Sequence, residues 1–225
     1  MTGAARAPLT VAILISGRGS NMVAIAEAVR QGRLPIRVAA VISDQPQAPG
    51  LTRARELGLP TTVVACRPGV ERPDYDRELA QRLKDFSPRL VVLAGFMRIL
   101  GTAFVQEYSG RLLNIHPSLL PQYRGLHTHA RVLAAGGHEH GCSVHFVTEE
   151  LDGGPVVLQA RVPVLTGDTE ESLSARVQAQ EHRIYPMVIG WYATGRLEWR
   201  ENQPWLDGQR LSSPVVVSAG ELEPA

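Results

Sequence analysis

The chain has 225 residues, 44% hydrophobic and 20% charged, with a formal net charge of +1. These values are ordinary for a globular domain, and so small a net charge gives no electrostatic basis for binding nucleic acid or an anionic membrane surface. No apolar run is long enough to span a bilayer, so we expect no membrane partner. The two cysteines, Cys66 and Cys142, have no metal or redox spacing, and the simplest setting for them is a reducing cytoplasm.

The first half of the chain alternates predicted strands and helices after a lead-in, residues 1–8, that we expect to be disordered. One helix is especially clear, because Pro73 suits its first turn and an apolar stripe follows. The alternation predicts an α/β fold with a doubly wound, mostly parallel, Rossmann-like sheet. The predicted strands are 9–15, 38–42, 61–65, 90–94 and 111–115, and the other helices are 22–30 and 50–57.

The second half has a different pattern. Two predicted strands, 141–147 and 155–164, are joined by a long turn, as in an antiparallel hairpin. Asp168 and Glu171 resemble a capping pair that opens a long helix, which is expected to run to about Ile184 and to be kinked or ended by Pro186. From about Glu201 the chain is rich in Pro, Gly and Ser and is expected to be partly loose. We therefore predict a single domain over residues 9–211 and a loose tail over 212–225.

A glycine-rich turn, Ser-Gly-Arg-Gly-Ser-Asn at 16–21, follows the first predicted strand and opens a helix. Backbone N–H groups converge at such a helix end and can hold a phosphate. The turn lacks the Gly-Lys-Ser/Thr of a Walker loop, and Met22 stands where the dinucleotide fingerprint has its third glycine, which argues against a nicotinamide dehydrogenase. The pattern favours one terminal phosphate; the alternative is a tight turn in which Ser20 or Asn21 only caps the helix.

Two polar side chains end the fifth predicted strand. Asn114 and His116 share a face because they are two residues apart, and Pro117 then ends the ladder because it has no N–H to donate. An amide donor beside an imidazole suits acyl chemistry, since one group can hold an oxyanion while the other moves a proton. The alternative is a core histidine bonded to backbone.

Asp152 lies in the predicted hairpin turn, before two glycines that permit close approach of the backbone. It can fold over His116, and a carboxylate near an imidazole favours the cationic form. The alternative is an aspartate that caps its own turn, which is common before glycine.

Glu181 falls on the apolar stripe of the late helix, where a carboxylate needs a partner. That partner is an internal cation, such as a nearby arginine, or alternatively an amine or hydroxyl of a bound substrate.

Five histidines suggest a metal site, but their spacing matches no compact zinc motif. We expect no metal and a solvated loop with scattered histidines. These residues are His127, His129, His138, His140 and His145.

Seven segments of the sequence resemble one family, the folate-dependent formyltransferases. The signature Asn-Ile-His-Pro-Ser-Leu-Leu-Pro is shared by the transferases and hydrolases of the family, whereas the glycine-rich turn and residues 178–181 are similar to the member that acts on glycinamide ribonucleotide. The resemblance spans Ile13 to about Leu211 and implies the formyltransferase fold. The segments are 15–21, 91–100, 113–121, 125–129, 143–147, 151–155 and 205–211.

The resemblance implies a phosphate-binding half over 9–110 and a folate-binding and catalytic half over 111–211. It also implies roles for individual residues. The catalytic residues would be Asn114, His116 and Asp152. Glycinamide ribonucleotide would be bound by Gly19, Ser20, Asn21, Gln178, Ala179, Gln180 and Glu181. The folate would be bound by Arg72, Met97, Arg98, Ile99, Leu100, Asn114, Thr148, Glu149, Glu150, Leu151 and Asp152.

The implied reaction moves the formyl group of 10-formyltetrahydrofolate, the co-substrate, to the amino group of glycinamide ribonucleotide in purine biosynthesis. Asn114 and the His116 imidazolium would stabilise the tetrahedral intermediate, and Asp152 would keep His116 charged. The implied partners are small molecules, without metal, and the protein would be a monomer or homodimer. Leu120–Pro121 is expected to be cis, because it lies in a tight turn beside the site.

Three other functions remain open. A formyltetrahydrofolate hydrolase is expected to carry a regulatory domain before the glycine-rich turn, where about fifteen residues stand. A methionyl-tRNA formyltransferase is expected to carry a further basic domain at its carboxyl end. A non-enzymatic module that binds nucleotide phosphate would account for the turn but not for Asn114, His116 and Asp152 together.

Overall fold

A computed structural model describes residues 7–67 and 69–218, and its main feature is an eight-stranded sheet. The strands within this described part are β1 (Leu9–Ile15), β2 (Ile36–Ser43), β3 (Thr61–Val63), β4 (Leu90–Leu93), β5 (Leu112–His116), β6 (Glu139–Phe146), β7 (Val156–Pro163), β8 (Leu197–Arg200), β9 (Gln203–Leu206), β10 (Gln209–Arg210) and β11 (Val215–Ser218). The helices are α1 (Ser20–Arg30), α2 (Pro49–Glu56), α3 (Arg72–Lys84), α4 (Thr102–Glu107), α5 (Thr128–Ala134) and α6 (Glu170–Thr194).

The order of strands in the large sheet is β11-β7-β6-β5-β4-β1-β2-β3. The first five strands of the chain are parallel, β6 runs antiparallel to β5 and β7 antiparallel to β6. The prediction of a doubly wound, mostly parallel sheet with an antiparallel hairpin and a long helix is confirmed. The strand order reverses between β1 and β4, and ligands of open α/β sheets bind at the carboxyl ends of strands at such a point.

Both faces of the large sheet are buried, as β1 illustrates. Val11, Ile13 and Ile15 join one hydrophobic core, whereas Ala12 and Leu14 join the other. Successive strand side chains point to opposite faces, so a strand that is apolar throughout needs cover on both. Buried residues of α1, α2, α5 and α6 belong to the first core, and those of α3 and α4 belong to the second.

The long helix α6 differs from its prediction at both ends. It continues to Thr194 with Pro186 inside it, because buried Tyr185 and Val188 pack on either side of the proline. Its cap is Thr169, whose side chain accepts from the Ser172 N–H at 3.2 Å while the Ser172 hydroxyl accepts from the Thr169 N–H at 3.0 Å. The predicted Asp168–Glu171 capping pair is therefore wrong.

The carboxyl-terminal part is more regular than predicted. Strands β8, β9 and β10 form a separate antiparallel sheet, joined by two-residue turns whose residues all have positive φ, namely Glu201, Asn202, Asp207 and Gly208. Such turns match the twist of paired strands.

The prediction of a loose tail is wrong for residues 215–218, which form β11 at the edge of the large sheet, parallel to β7. Val215 and Val217 pack against the core, whereas Val216 faces outward with 41% of its surface exposed. The rest of that tail, residues 219–225, lies outside the described residues, as do residues 1–6 of the predicted lead-in.

The predicted cis bond between Leu120 and Pro121 is confirmed. The bond lies in the turn that follows β5. The short helices α4 and α5 have no counterpart among the predicted elements.

Candidate active site

Asn114, His116 and Asp152 meet at the carboxyl end of β5. Asn114 is partly buried and His116 is 6% exposed, and both lie on this strand. The loop after β6 brings Asp152 Oδ2 to 3.4 Å from His116 Nδ1. The structure therefore brings together the three residues predicted to be catalytic.

The imidazole of His116 is held on both sides. Its Nε2 lies 3.0 Å from the carbonyl oxygen of Tyr123. Because a carbonyl oxygen only accepts, Nε2 carries a proton and donates it. His116 Nδ1, which faces Asp152, is therefore the ring nitrogen that is placed to exchange a proton in the site.

His145 orients the amide of Asn114, a role that the sequence analysis did not assign. His145 lies opposite Asn114 on the neighbouring strand β6 and donates from Nδ1 to the Phe146 carbonyl at 2.9 Å. Burial lowers the pKa of His145 to about 4, so the ring is neutral and its Nε2 accepts from Asn114 Nδ2 at 3.1 Å. An amide nitrogen has two N–H bonds, and Asn114 thus keeps one for a ligand oxygen.

A cavity of about 430 Å³ opens beside these three residues. Four large apolar side chains in its lining are exposed: Met97 by 69%, Ile99 by 51%, Leu126 by 67% and Leu151 by 51%. Apolar surface left in solvent around a cavity of this size indicates a ligand with an apolar part. All the residues predicted to bind folate line the cavity except Arg72.

Arg72 lies at the first residue of α3, away from the cavity lining. Its Cδ is 3.9 Å from the position that a Cβ on Gly101 would take, just after Leu100. The side chain therefore lies past the end of the segment 97–100 rather than inside the cavity.

The loop that carries Asp152 is fixed by several contacts. Asp152 has a φ of 49° and accepts from the Gly125 N–H at 2.8 Å through Oδ2. Glu150 forms an ion pair with Arg124, and Glu149 accepts from Gln106 at 2.7 Å. These contacts hold the cavity wall against the segments before and after β5.

The glycine-rich turn lies next to α6. Ser20 Oγ accepts from Gln178 Nε2 at 3.1 Å, and Asn21 Nδ2 donates to Glu181 Oε2 at 2.8 Å. Gly19, with a φ of 70°, caps α1. Residues 160 positions apart in the chain thus form one polar cluster around the start of this helix.

The partner of Glu181 is the Asn21 amide, and neither the predicted arginine nor a substrate is needed to explain its burial. Burial raises the pKa of Glu181, and the Asn21 hydrogen bond opposes that rise. Gln180 is buried too, and its Oε1 has no partner within the described part of the chain, whereas Ala179 is exposed.

Gly50 shapes the turn and was missed in the sequence. A Cβ on Gly50 would lie 2.8 Å from the Gly17 carbonyl oxygen and 2.6 Å from Ile15 Cδ1. Its N–H donates to the same Gly17 carbonyl at 3.0 Å. The start of α2 thus supports the turn from behind, in a place where only glycine fits.

Ser16 connects the two parts of the site. Its backbone N–H donates to the Gly95 carbonyl at 3.1 Å, and its hydroxyl accepts from the Met97 N–H at 2.8 Å. Both the cavity and the turn are built from both predicted halves of the domain. The segment 97–100, from the predicted phosphate-binding half, lines the cavity, and Gln178 and Glu181, from the other half, reach the turn.

Two of the five histidines expected on a solvated loop are buried on β6 instead. His140 is 1% exposed and His145 is 2% exposed. His140 Nε2 lies 3.1 Å from His129 Nδ1. The pKa of His140 is lowered to about 4, mainly by its burial and to a smaller extent by the nearby His129 and His116. Across residues 7–67 and 69–218, no group of three or more His, Cys, Asp or Glu side chains is arranged to hold a metal ion.

The free energy of unfolding is expected to fall as the pH is lowered from 6.5 to about 4. The pKa values of His140 and His145 are lowered from 6.5 to about 4, so within this window the unfolded state binds more protons than the folded state. The loss at pH 5 relative to pH 7 should be on the order of 1–2 kcal/mol for each histidine. Urea unfolding at both pH values measures it, with an exposed-site variant, His138→Asn, as the control. Equal stability at the two pH values would contradict the prediction.

Comparison with known proteins identifies the class to which this fold and site belong. A model of the formyl transferase family matches residues 9–189. The chain belongs to the formyl transferase family.

Within this family the chain is similar over most of its length to enzymes of one kind. The chain is 56% identical over 203 residues to the phosphoribosylglycinamide formyltransferase of Escherichia coli, covering 90% of this chain and 96% of that protein. The solved phosphoribosylglycinamide formyltransferase of Coxiella burnetii is 50% identical, with a TM-score of 0.89, and the match covers 93% of this chain and 99% of that one. A formyltetrahydrofolate deformylase of Pseudomonas syringae has a TM-score of 0.82 at 24% identity, covering 90% of this chain and 66% of that one, and shares the fold.

Proposed function

We propose that this chain transfers the formyl group of 10-formyltetrahydrofolate to the amino group of glycinamide ribonucleotide, giving formylglycinamide ribonucleotide and tetrahydrofolate. The observation that carries the proposal is the meeting of Asp152, His116 and Asn114 in an apolar-rimmed cavity that Ser16 connects to a glycine-rich turn. A folate needs the first environment and a ribonucleotide phosphate needs the second.

In the proposed reaction the amine attacks the formyl carbon. A new C–N bond forms and the carbonyl oxygen becomes negatively charged. The second N–H of Asn114 and the Nδ1–H of His116 donate to this oxygen, which lowers the barrier because the donors are fixed beforehand by His145 and Tyr123. Collapse of the intermediate breaks the bond from carbon to the folate nitrogen.

The proton that the amine loses ends on the folate nitrogen. Asp152 is the base next to His116, and it accepts this proton directly or through one water before it is passed on. Its carboxylate is also the counter-ion that stabilises the His116 imidazolium. The reaction is balanced without a metal or a redox group.

The proposed folate contacts follow the cavity. Met97, Ile99 and Leu151 would cover the flat pterin, and the backbone of residues 148–152 would supply polar contacts at its edge. Arg72 lies beyond Leu100, so its proposed contact is with the negatively charged tail of the folate rather than with the pterin.

The proposed acceptor contacts follow the turn. The N–H groups of Gly19, Ser20 and Asn21 would hold the phosphate at the start of α1. On α6, Gln178, Ala179, Gln180 and Glu181 would contact the ribose and glycinamide, with the Glu181 carboxylate on the sugar hydroxyls.

Replacing Glu181 with glutamine should raise KM for glycinamide ribonucleotide about tenfold and change kcat much less. Glutamine retains an oxygen that accepts from Asn21, but a neutral acceptor binds a hydroxyl more weakly than a carboxylate does. Steady-state kinetics with each substrate varied in turn measures the effect. The control is Asp168→Asn, a carboxylate change beside the same helix that affects the contacts of Asp168 with Arg176, Ser172 and the Leu165 N–H. An unchanged KM would remove Glu181 from the acceptor site.

The proposed activity is tested by the absorbance of folate release, with and without glycinamide ribonucleotide. Release that requires the ribonucleotide supports the transferase. Release without it indicates a formyltetrahydrofolate hydrolase, and no release in either case leaves a phosphate-binding module.

We further propose that the protein acts in the cytoplasm on these small molecules, as a monomer or homodimer. Within the described residues no helix is both long and apolar enough to cross a membrane. Sedimentation of the purified protein distinguishes the two assembly states.

A further inference from the structure

The turn between β5 and α5, residues 117–123, is held by buried side chains that do not themselves reach the cavity. Ser143 on β6 is fully buried. Its hydroxyl donates to the Ser118 carbonyl at 2.6 Å and accepts from the Leu120 N–H at 3.0 Å. One side chain thus bonds both a donor and an acceptor of the turn.

Gln159 on β7 completes this arrangement from the next strand. It is 6% exposed, and its Nε2 donates to the Leu120 carbonyl at 2.8 Å and to the Ser143 hydroxyl at 2.9 Å. Both N–H bonds of the Gln159 amide are therefore used on the turn and on the residue that binds it. Every bond is buried, where hydrogen bonds are strong and an unmade one is costly.

The far end of the same turn presents the Tyr123 carbonyl to His116 Nε2 at 3.0 Å. This contact fixes the orientation of the ring, in which Nδ1 faces Asp152. A displaced turn would withdraw the acceptor from Nε2, and Nδ1 would no longer be held in the position from which it faces Asp152.

We propose that Gln159 and Ser143 are positioning residues for His116. They hold the turn 117–123 so that the Tyr123 carbonyl accepts from Nε2 and fixes the ring with its Nδ1 toward Asp152. This inference rests on the proposed catalytic role of His116. Neither residue lines the cavity, so neither touches the substrates.

The test uses Gln159→Leu, which removes the donor, and Ser143→Ala, which removes one hydroxyl and retains most of the packing. The control is Tyr192→Phe. This variant loses a hydrogen bond of 3.1 Å from the Tyr192 hydroxyl to the Gly110 carbonyl, which lies away from the turn. Two quantities are measured on each intact protein: kcat with both KM values, and the ¹⁵N shifts of the His116 ring, assigned by their loss in His116→Ala.

The expected result for both variants is a fall in kcat on the order of tenfold to a hundredfold with unchanged KM values, because small misplacement of a reacting group costs rate rather than binding. The ¹⁵N shift of Nε2 should change, because the ring loses its fixed hydrogen bond to the Tyr123 carbonyl. Tyr192→Phe should lose thermal stability only.

A wild-type kcat and wild-type ring shifts in a folded Gln159→Leu or Ser143→Ala protein would overturn the inference and leave both side chains with a structural role. Failure of the proposed function is distinguishable, because the native protein itself would then show no turnover that depends on the ribonucleotide. If Gln159→Leu does not fold, the Ser143→Ala variant alone decides the matter by the same two measurements.

Discussion

Replacing His116 with alanine is expected to lower kcat by about 10²–10³, because an oxyanion donor is removed from a site where it is fixed beforehand. His116 is 6% exposed and held between Tyr123 and Asp152, so its proton-bearing nitrogens are oriented before substrate binds. The apolar wall of the cavity and the glycine-rich turn are untouched by the change. Binding of both substrates should therefore persist.

The measurement is steady-state turnover, together with calorimetric titration of each substrate. The matched control is His138→Ala, which removes an exposed histidine that does not line the cavity. Turnover close to that of the native protein in the His116 variant would exclude His116 from catalysis. Loss of substrate binding along with turnover would instead indicate a role in shaping the cavity.

Replacing Asp152 with asparagine is expected to lower kcat on the order of a hundredfold, within the usual contribution of a general acid or base. The two side chains have nearly the same shape, and the amide oxygen still accepts from the Gly125 N–H. What disappears is the negative charge 3.4 Å from His116 Nδ1 and the base that receives the amine proton. The loop 148–152 should keep its position, since Arg124 and Gln106 hold it independently.

Kinetics at several pH values report on the chemistry. The backbone amide NMR signals of the loop report separately on its conformation. Asp85→Asn, an exposed change at the end of α3, is the control. If the Asp152 variant turns over at the native rate, the proposed proton transfer is assigned to the wrong residue.

Local sequence was enough to predict the main strands, because a parallel strand buried on both faces is a continuous apolar run. The predicted and observed bounds of β1 are identical, and those of β4 differ by one residue. The same local reasoning failed for α6. A proline predicts a break from its own chemistry, whereas the packing of Tyr185 and Val188 on the sheet decides that the helix continues.

The edge strand β11 was missed for a similar reason. Its alternation of half-buried and exposed side chains covers only four residues, and the donors and acceptors that pair with it belong to β7. Such a short segment is extended only because a distant strand leaves its edge open, which the local pattern does not contain.

The sequence by itself determined the chemistry that is available: the alternation of Asn114 and His116 on one strand, a turn that can hold phosphate, and a glutamate where an apolar residue was expected. The tertiary structure alone decided how these groups are used. The pairing of β5 with β6 sets His145 opposite Asn114, the packing of α6 on α1 brings Glu181 to Asn21, and the turn after β5 orients the ring of His116. Residue types are local properties, whereas register, packing and hydrogen-bond partners depend on segments far apart in the chain.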